Sequence, residues 1–315
     1  MDSLSIADIA VHSILLVTGV SGNIFILIVH FLEWLKTREH NPCYLIINAI
    51  GISNICLQTA NDLIEMSYYI WPDAYNEEWV YNLTIALLAS LSLSSLWCST
   101  CLCLYYCVKI VNLNGPLFYK IKANLPVMVP WLLVFSILLS WSIGMSAQWD
   151  LYVGFSITAL NITGNVTLEE SFYPYSSKCN CVFYLYLLAA SLAFVIIFLA
   201  GGTIIASLCK HMSRMRQNNE GLSHPRIRTH LSAAKTVTAL LILYLIFYGT
   251  FSFINNPVYV LDSKTAILCL IVISIFPTVN SIILIMGNRK LFNALKQVLG
   301  MKSSVSNTEV TVTTY

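Results

Sequence analysis

Seven long apolar segments leave this chain few ways to fold. They lie near residues 8–32, 43–70, 81–109, 125–149, 182–209, 232–256 and 265–286. Each is long enough to cross the hydrocarbon core of a bilayer as a helix, which takes about 20 residues. Only 10% of the residues are charged, whereas a soluble domain has about 25%. Because a helix satisfies its own backbone hydrogen bonds in lipid, the sequence predicts an all-α membrane protein, a seven-transmembrane helix bundle.

The bundle and one short helix form a single predicted domain, residues 1–300. Residues 289–299 have the pattern of an amphipathic helix that lies on the inner membrane surface. Residues 301–315 are polar and rich in Ser and Thr, which predicts a disordered cytoplasmic tail. The first apolar segment has neither a basic start nor a small-residue cleavage site, so we interpret it as a retained helix rather than a signal peptide.

The basic residues predict the orientation of the bundle. Of the 17 Lys and Arg residues, all but Lys178 and Lys264 lie in the loops after segments 1, 3 and 5, at the segment ends that adjoin these loops, or in the C-terminal region. Those loops are therefore predicted to be cytoplasmic and the N-terminus extracellular. Two N-glycosylation signals, at Asn161 and Asn165, fall in the loop after segment 4, which the same rule places outside. A third signal, at Asn82, is too close to the membrane to be used.

The third segment has the pattern of a central helix. It carries many small residues, which let neighbouring helices approach closely. It also contains Cys98 and Cys101 at a spacing found in zinc sites, but such sites are built on soluble turns with further Cys or His ligands. We predict no metal and no cofactor. Outside the membrane, a bridge between Cys179 and Cys181 would be strained, since one residue separates them.

The second segment carries acidic groups in its outer half. Asp62 and Glu65 follow the polar residues Asn54 and Asn61. Polar groups at membrane depth usually face the bundle interior or a wet cavity. Two interpretations remain open at this point: the acidic pair reaches a ligand cavity that opens to the outside, or it lies at the interface and is simply solvated.

The sixth segment presents an aromatic face. Tyr244, Phe247, Tyr248 and Phe251 recur at a spacing of three to four residues in its outer half. Such a stripe most often serves packing. In a bundle with polar groups opposite, it also makes a wall for a pocket that binds amphipathic ligands.

Two other classes of membrane protein fit the sequence less well. Gly19-Val20-Ser21-Gly22 has the G-x-S-G pattern of a serine protease, but no segment supplies a matching His, and small residues at this spacing suit helix packing. A transporter would show internal repeats or broken helices with midplane carboxylates. We predict that the chain is not an enzyme.

Several short motifs together resemble the bitter taste receptor family (type 2 taste receptors), within the G-protein-coupled receptors. They are Leu96-Trp97, Thr100-Cys101-Leu102, Tyr106, Lys109-Ile110, Asn112, Pro116-Leu117-Phe118, Ser207-Leu208, Lys210-His211, Met215, His230, Ala233, Lys235-Thr236, Leu243-Tyr244, Leu284-Ile285, Gly287-Asn288 and Lys290-Leu291. They occur in family order over nearly the whole chain. The family usually has arginine in place of Asn54 and histidine in place of Asn280, so the chain is a divergent member.

The resemblance implies a chemosensory receptor of the plasma membrane. It would bind small bitter-type compounds from outside and activate a gustducin-like heterotrimeric G protein. Membrane lipid would surround the bundle, and no nucleic acid is expected as a partner. A vomeronasal type 1-like pheromone receptor is the alternative.

Two sets of site residues follow from this resemblance and from the patterns above. The predicted ligand site comprises Asp62, Glu65, Leu88, Ser92, Tyr184, Tyr244, Phe247, Tyr248, Phe251 and Leu270. The predicted G-protein contacts are Tyr106, Lys109, His211, Met215, His230 and Lys235. Tyr244 is expected to transmit ligand contact into movement of the sixth helix.

Overall fold

A computed structural model describes residues 3–39, 41–71, 77–111, 116–146, 148, 151–162, 165–177, 181–217, 225–254 and 263–300. At some helical positions and throughout both strands, only the backbone is described. The predicted tail, residues 301–315, lies outside the described residues.

Seven long helices and one short helix make up most of the described chain. They are α1 (Ser3–Thr37), α2 (Pro42–Ile70), α3 (Glu78–Ile110), α4 (Pro116–Met145), α5 (Cys181–Gln217), α6 (Pro225–Ile254), α7 (Ser263–Gly287) and α8 (Arg289–Val298). Among the described residues, α1 to α7 are each long and apolar enough to cross a membrane. The predicted seven-helix bundle is confirmed. We call the end at which α1 begins the outer end, and the opposite end the inner end.

The beginning of α4 differs from the prediction. The helix begins at Pro116, where a proline costs no helical hydrogen bond. Lys120 and Lys122 therefore lie within the helix, and Pro126 and Pro130 lie in its interior. The prediction was wrong here because hydropathy falls at the two lysines, whereas the helix continues beyond the apolar span.

The centre of the bundle is α3, as predicted. It packs against α2, α4, α5 and α6. In the most apolar stretch of α3, 72% of the residues are buried inside the bundle. In the other six spanning helices, the buried share of the corresponding stretch is 50% or less. Buried small residues such as Ser90, Ser94 and Ser99 make this position possible, because they leave room for neighbouring backbones.

Glycines mark the closest helix contacts. A Cβ on Gly19 would lie 2.5 Å from Thr278 Oγ1, and one on Gly22 would lie 2.6 Å from Ser281 Oγ. These two residues therefore pack α1 against α7, which confirms the packing interpretation of the G-x-S-G pattern. At Gly144 of α4, a Cβ would lie 2.5 Å from the backbone nitrogen of Ser90 in α3.

A β-hairpin connects α4 and α5 at the outer end. Strands β1 (Leu151–Ile162) and β2 (Asn165–Ser177) pair antiparallel, with Phe155 opposite Phe172 and an irregularity between Tyr152 and Gly154. The sequence analysis predicted only a loop in this region. The signals it missed were the many β-branched and aromatic residues and the two-residue connection that ends in Gly164.

Candidate functional site

Aromatic rings of α5 and α6 meet in the outer half of the bundle. We call Tyr186, Phe247, Tyr248 and Phe251 the aromatic cluster. The ring centroid of Tyr186 lies 5.7 Å from that of Tyr248 and 5.0 Å from that of Phe251. The centroids of Phe247 and Tyr248 lie 5.1 Å apart. These separations are typical of packed aromatic pairs, so the predicted face of α6 packs as one unit against α5.

Two residues of α3 extend this unit. Ser92 is buried, and its Oγ lies 3.0 Å from the Tyr186 hydroxyl in a hydrogen bond. Leu88, one helical turn nearer the outer end, is partly buried against the core. Phe251 is also only partly buried, whereas Phe247 and Tyr248 are 2% and 5% exposed. A molecule that enters from the outer end therefore reaches Leu88 and Phe251 first.

Tyr244 lies one turn below the aromatic cluster. Phe276 of α7 connects them, with its ring centroid 4.4 Å from that of Phe247 and 4.9 Å from that of Tyr244. The Tyr244 hydroxyl donates to the Ser95 carbonyl oxygen at 2.9 Å and accepts from Ser99 Oγ at 2.7 Å. Tyr244 is fully buried, and these hydrogen bonds connect α6 to α3.

Polar side chains from five helices meet at Tyr244. We call Asn23, Asn54, Ser95, Ser99, Tyr244 and Asn280 the central polar network. Ser95 Oγ donates to Asn54 Oδ1 at 2.8 Å. Asn280 Nδ2 donates to the Tyr244 hydroxyl at 3.3 Å, and Asn54 Nδ2 to Asn23 Oδ1 at 3.4 Å. The two bonds donated by Asn280 and Asn54 are long and therefore weak. Asn280 Oδ1 accepts no hydrogen bond within the described part of the chain. The network thus combines short bonds at Tyr244 and Ser95 with longer bonds from Asn280 and Asn54.

The structure does not bring Tyr184 and Leu270 to the aromatic cluster. Tyr184 is 65% exposed on the outside of α5, and Leu270 is 38% exposed on α7. Tyr186, which is 3% exposed, takes the position expected of Tyr184. The sequence analysis missed Tyr186 because α5 is apolar on all sides, so no pattern indicates which of the two tyrosines faces inward.

Asp62 is buried on the side of α2 that faces α1. It is 9% exposed, and His12 of α1, which is 2% exposed, acts electrostatically on it. Gln58, one turn away on the same face, lies against Gly19 of α1. Asp62 is thus buried apart from the aromatic cluster rather than solvated at the interface. Glu65 lies in α2, and its side chain is outside the described part of the structure.

At the inner end, three of the predicted G-protein contacts have described side chains. Tyr106 is partly buried, and its hydroxyl lies 3.7 Å from Cys43 Sγ. Lys109 is exposed, and its Nζ donates to the Tyr105 hydroxyl at 3.1 Å. Lys235 is exposed on α6. The side chains of His211, Met215 and His230 lie outside the described part, although their backbones belong to α5 and α6.

The short helix α8 is attached to the inner end of α1. Asn288 caps it by accepting a hydrogen bond from the Lys290 backbone N–H at 3.0 Å. Lys290 Nζ lies 2.5 Å from Glu33 Oε1 of α1 and 5.7 Å from the centroid of the Tyr44 ring. The hydrogen bond to the Glu33 carboxylate raises the pKa of the Lys290 ammonium above its ordinary value.

The predicted glycosylation residues lie next to the connection of the hairpin. Asn161 is in β1, opposite Val166, and Asn165 begins β2, opposite Ile162; their side chains are outside the described part. Cys181, at the start of α5, is disulfide-bonded. The other eight cysteines that are described have free thiols, so the partner of Cys181 lies outside the described residues.

No described group of three or more His, Cys, Asp or Glu residues is placed to hold a metal ion. The described contacts comprise an aromatic and polar unit near one end of the bundle, a buried network below it, and basic side chains at the other end. This arrangement can bind an amphipathic molecule and couple it to helix movement.

Known proteins resemble the chain along nearly its whole length. Residues 1–303 match the family described as taste receptor protein (TAS2R). Taste receptor type 2 member 9 of Papio hamadryas is 29% identical over 286 residues, which cover 90% of each chain. Its counterpart in Homo sapiens is 27% identical over 90% of each chain. Taste receptor type 2 member 7 of Pongo pygmaeus is 28% identical over 91% of this chain and 90% of the relative. The resemblance found in the sequence motifs is confirmed, and the chain belongs to the taste receptor type 2 family.

Proposed function

We propose that the protein is a plasma-membrane receptor that binds small bitter-type compounds and activates a heterotrimeric G protein. Its N-terminus would be extracellular, as the distribution of basic residues predicts. One observation carries the proposal: the aromatic cluster lies directly above Tyr244, and Tyr244 joins the central polar network. A ligand that displaces these rings thereby acts on a buried contact between α3 and α6.

The ligand would be a largely apolar molecule with one or two polar groups. Leu88 and Phe251 offer apolar contact near the outer end, and Ser92 with the Tyr186 hydroxyl offers a hydrogen bond. Such a mixture is typical of small-molecule sites, in which a few polar groups fix the orientation of the ligand. Tyr184 and Leu270 are left out of the proposed site because of their exposure.

Activation requires the ligand to prefer one of two states of the bundle. A ligand with equal affinity for both states shifts nothing, however tightly it binds. In this protein the two states would differ in the partners of the Tyr244 hydroxyl, and movement of α6 would open the inner end. Tyr106, Lys109, His211, Met215, His230 and Lys235 would then contact the G protein, which we propose to be gustducin-like.

A calcium assay in cells tests this function. The receptor is expressed with a chimeric promiscuous G protein and exposed to a panel of bitter compounds and steroid-like odorants. Phe251→Ala removes a rim contact of the proposed site, and Phe253→Ala is its matched control, since Phe253 is 41% exposed on the same helix. We expect bitter compounds to evoke a response in the wild type. Phe251→Ala should reduce the potency of these compounds at least tenfold, which corresponds to a loss of about 1.4 kcal/mol of binding free energy.

The outcomes separate the alternatives. Equal loss in Phe251→Ala and Phe253→Ala, at matched surface expression, contradicts the proposed site. A response to steroid-like odorants alone contradicts the ligand class and favours the vomeronasal type 1-like alternative, against which the family match stands.

A further inference from the structure

The inner end of α6 lies between α5 and α7 and contacts each of them at a glycine. A Cβ on Gly201 of α5 would lie 3.2 Å from Val237 Cγ1. A Cβ on Gly287, the last residue of α7, would overlap the side chain of Thr236, with Cγ2 at 2.8 Å and Cβ at 2.9 Å. Both distances are shorter than the 3.0 Å that real Cβ contacts keep. The contact of α6 with α7 is therefore the tighter one, and it depends on glycine at position 287.

The α7 side of this contact is held in place by its neighbours. Leu284, nearly one turn before Gly287, is 1% exposed. Asn288, the next residue, caps α8. Lys290 of α8 is paired with Glu33 of α1. The inner end of α7 is thus connected to α8 and through it to α1, so α6 is the partner that can move away.

The α6 side of the contact lies far from the attachment of α6 to α3. That attachment is the Tyr244 hydroxyl, which binds Ser95 and Ser99. At 1.5 Å per residue, Thr236 lies about 12 Å from Tyr244 along the helix axis. Lys235, next to Thr236, is exposed and is one of the proposed G-protein contacts. A rotation of α6 about Tyr244 would therefore move Thr236 and Lys235 together.

We propose that the contact of Thr236 with Gly287 holds the inner end of the bundle closed and must open before the G protein binds. The inference rests on the proposed function, in which a ligand acts on α6 at Tyr244. Thr236 is 5% exposed, and its β-branched side chain has few rotamers in a helix, so it cannot turn away from α7. The size of residue 287 is then felt in the closed state and not in the open one.

Crowding the contact should accordingly activate the receptor without a ligand, because it raises the free energy of the closed state alone. Gly287→Ala places a methyl group against Thr236. Thr236→Leu crowds the same contact from the opposite side. Gly202→Ala is the matched control, since no atom lies within 4 Å of its Cβ position.

Agonist-free signalling of the full-length receptor tests the inference. Inositol phosphate accumulation is measured in cells that express each variant with the chimeric promiscuous G protein, and it is divided by the amount of receptor at the cell surface. We expect Gly287→Ala and Thr236→Leu to raise this signal by about tenfold over the wild type, because overpacking strains only the closed state. Gly202→Ala should keep the wild-type level.

A second substitution tests whether the contact itself is the cause. Thr236→Ala, added to Gly287→Ala, removes the Oγ1 and Cγ2 atoms that the new methyl group would meet. The double variant should return towards the agonist-free signal of the wild type. A packing defect with no role in activation would lower the surface expression of Gly287→Ala without raising the signal per receptor.

The outcomes separate this inference from the proposed function. Wild-type agonist-free signals in both Gly287→Ala and Thr236→Leu, in a receptor that responds to bitter compounds, overturn the inference and leave the proposed function intact. A raised signal that the added Thr236→Ala does not lower also overturns it. A raised and reversible signal in a receptor that responds to no bitter compound supports the contact and contradicts the proposed ligand class. If one of the two crowding variants does not reach the surface, the other decides.

Discussion

Tyr244 is the residue at which the proposed ligand site and the interior of the bundle meet. Its ring packs against Phe276, and its hydroxyl binds the backbone of Ser95 and the side chain of Ser99. A tyrosine is needed for both tasks, since phenylalanine would keep the ring contact and lose the hydrogen bonds. We therefore expect the proposed signal transfer through this residue to be separable from ligand contact.

Tyr244→Phe tests that separation. We expect the maximal calcium response to fall strongly while the agonist concentration for half-maximal response changes little, because the aromatic cluster itself stays intact. Loss of a buried hydrogen-bond partner for Ser99 and Asn280 should also lower the free energy of unfolding by about 1–3 kcal/mol. The measurements are the calcium assay and thermal unfolding of the purified protein.

Tyr119→Phe is the control for this change, as Tyr119 is 78% exposed. A double-mutant cycle with Ser99→Ala adds a check: the two changes should be non-additive if they remove the same hydrogen bond. An unchanged maximal response at equal surface expression would mean that Tyr244 does not transmit the signal.

Residues also show where sequence patterns stop being informative. The face of α6 was predictable because its four aromatics recur at helical spacing. Tyr186 was not, because an entirely apolar helix such as α5 carries no inward-facing pattern, and only packing decides which tyrosine is buried. The polar residues of α2 left open whether Asp62 reaches a ligand cavity or is solvated at the interface. Its position against α1 depends on the rotation of the whole helix, which the sequence pattern does not give.

At the scale of elements, close approach of backbones determines the helix contacts. Hydropathy predicts each spanning helix because about 20 apolar residues have no other stable place in a bilayer. It does not predict which faces touch. The contact of α3 with α4 depends on the absence of a side chain at Gly144.

Gly144→Ala tests that contact. The added Cβ would lie 2.5 Å from the Ser90 backbone nitrogen and 2.6 Å from its Cα, so the helices must move apart. We expect a loss of about 1–3 kcal/mol in the free energy of unfolding, seen as a lower Tm in detergent. Gly202→Ala is the matched control: no atom lies within 4 Å of its Cβ position, and alanine is the better helix former. Equal Tm changes in the two variants would contradict the packing.

The attachment of α8 to α1 predicts a pH dependence. Lys290 has a pKa raised above its ordinary value of 10.5 because its ammonium is hydrogen-bonded to Glu33. The folded state therefore holds this proton more tightly than the unfolded state. The stabilisation is complete below the ordinary pKa and is lost as the pH rises through the raised pKa.

Lys290→Met should accordingly lower the Tm at neutral pH and have no further effect in strongly alkaline buffer. The change is small, because Lys290 is 47% exposed and solvent screens the pair. Lys296→Met on the same helix is the control, since its Nζ lies over the Phe292 ring rather than at a carboxylate. A Tm difference between Lys290→Met and wild type that persists unchanged in alkaline buffer would exclude the ion pair as its cause.

At the scale of the whole molecule, the glycosylation signals test the predicted orientation in the membrane. Asn161 and Asn165 flank the connection of the hairpin between α4 and α5, which the basic residues predict to lie outside. Asn82 has the same type of signal but lies in α3 with 7% of its surface exposed, where an oligosaccharide has no room. Asn82 is therefore not expected to carry an oligosaccharide, although its signal is of the same type as those at Asn161 and Asn165.

We expect the receptor expressed in mammalian cells to lose apparent mass on treatment with an N-glycosidase. Replacing both Asn161 and Asn165 with Gln should abolish that loss, and Asn82→Gln should leave it unchanged. An epitope placed after Tyr315 should react with antibody only in permeabilised cells, because an odd number of spans puts the two termini on opposite sides. An unglycosylated protein whose C-terminal epitope is accessible in intact cells would reverse the orientation and place the aromatic cluster on the cytoplasmic side, where no ligand from outside reaches it.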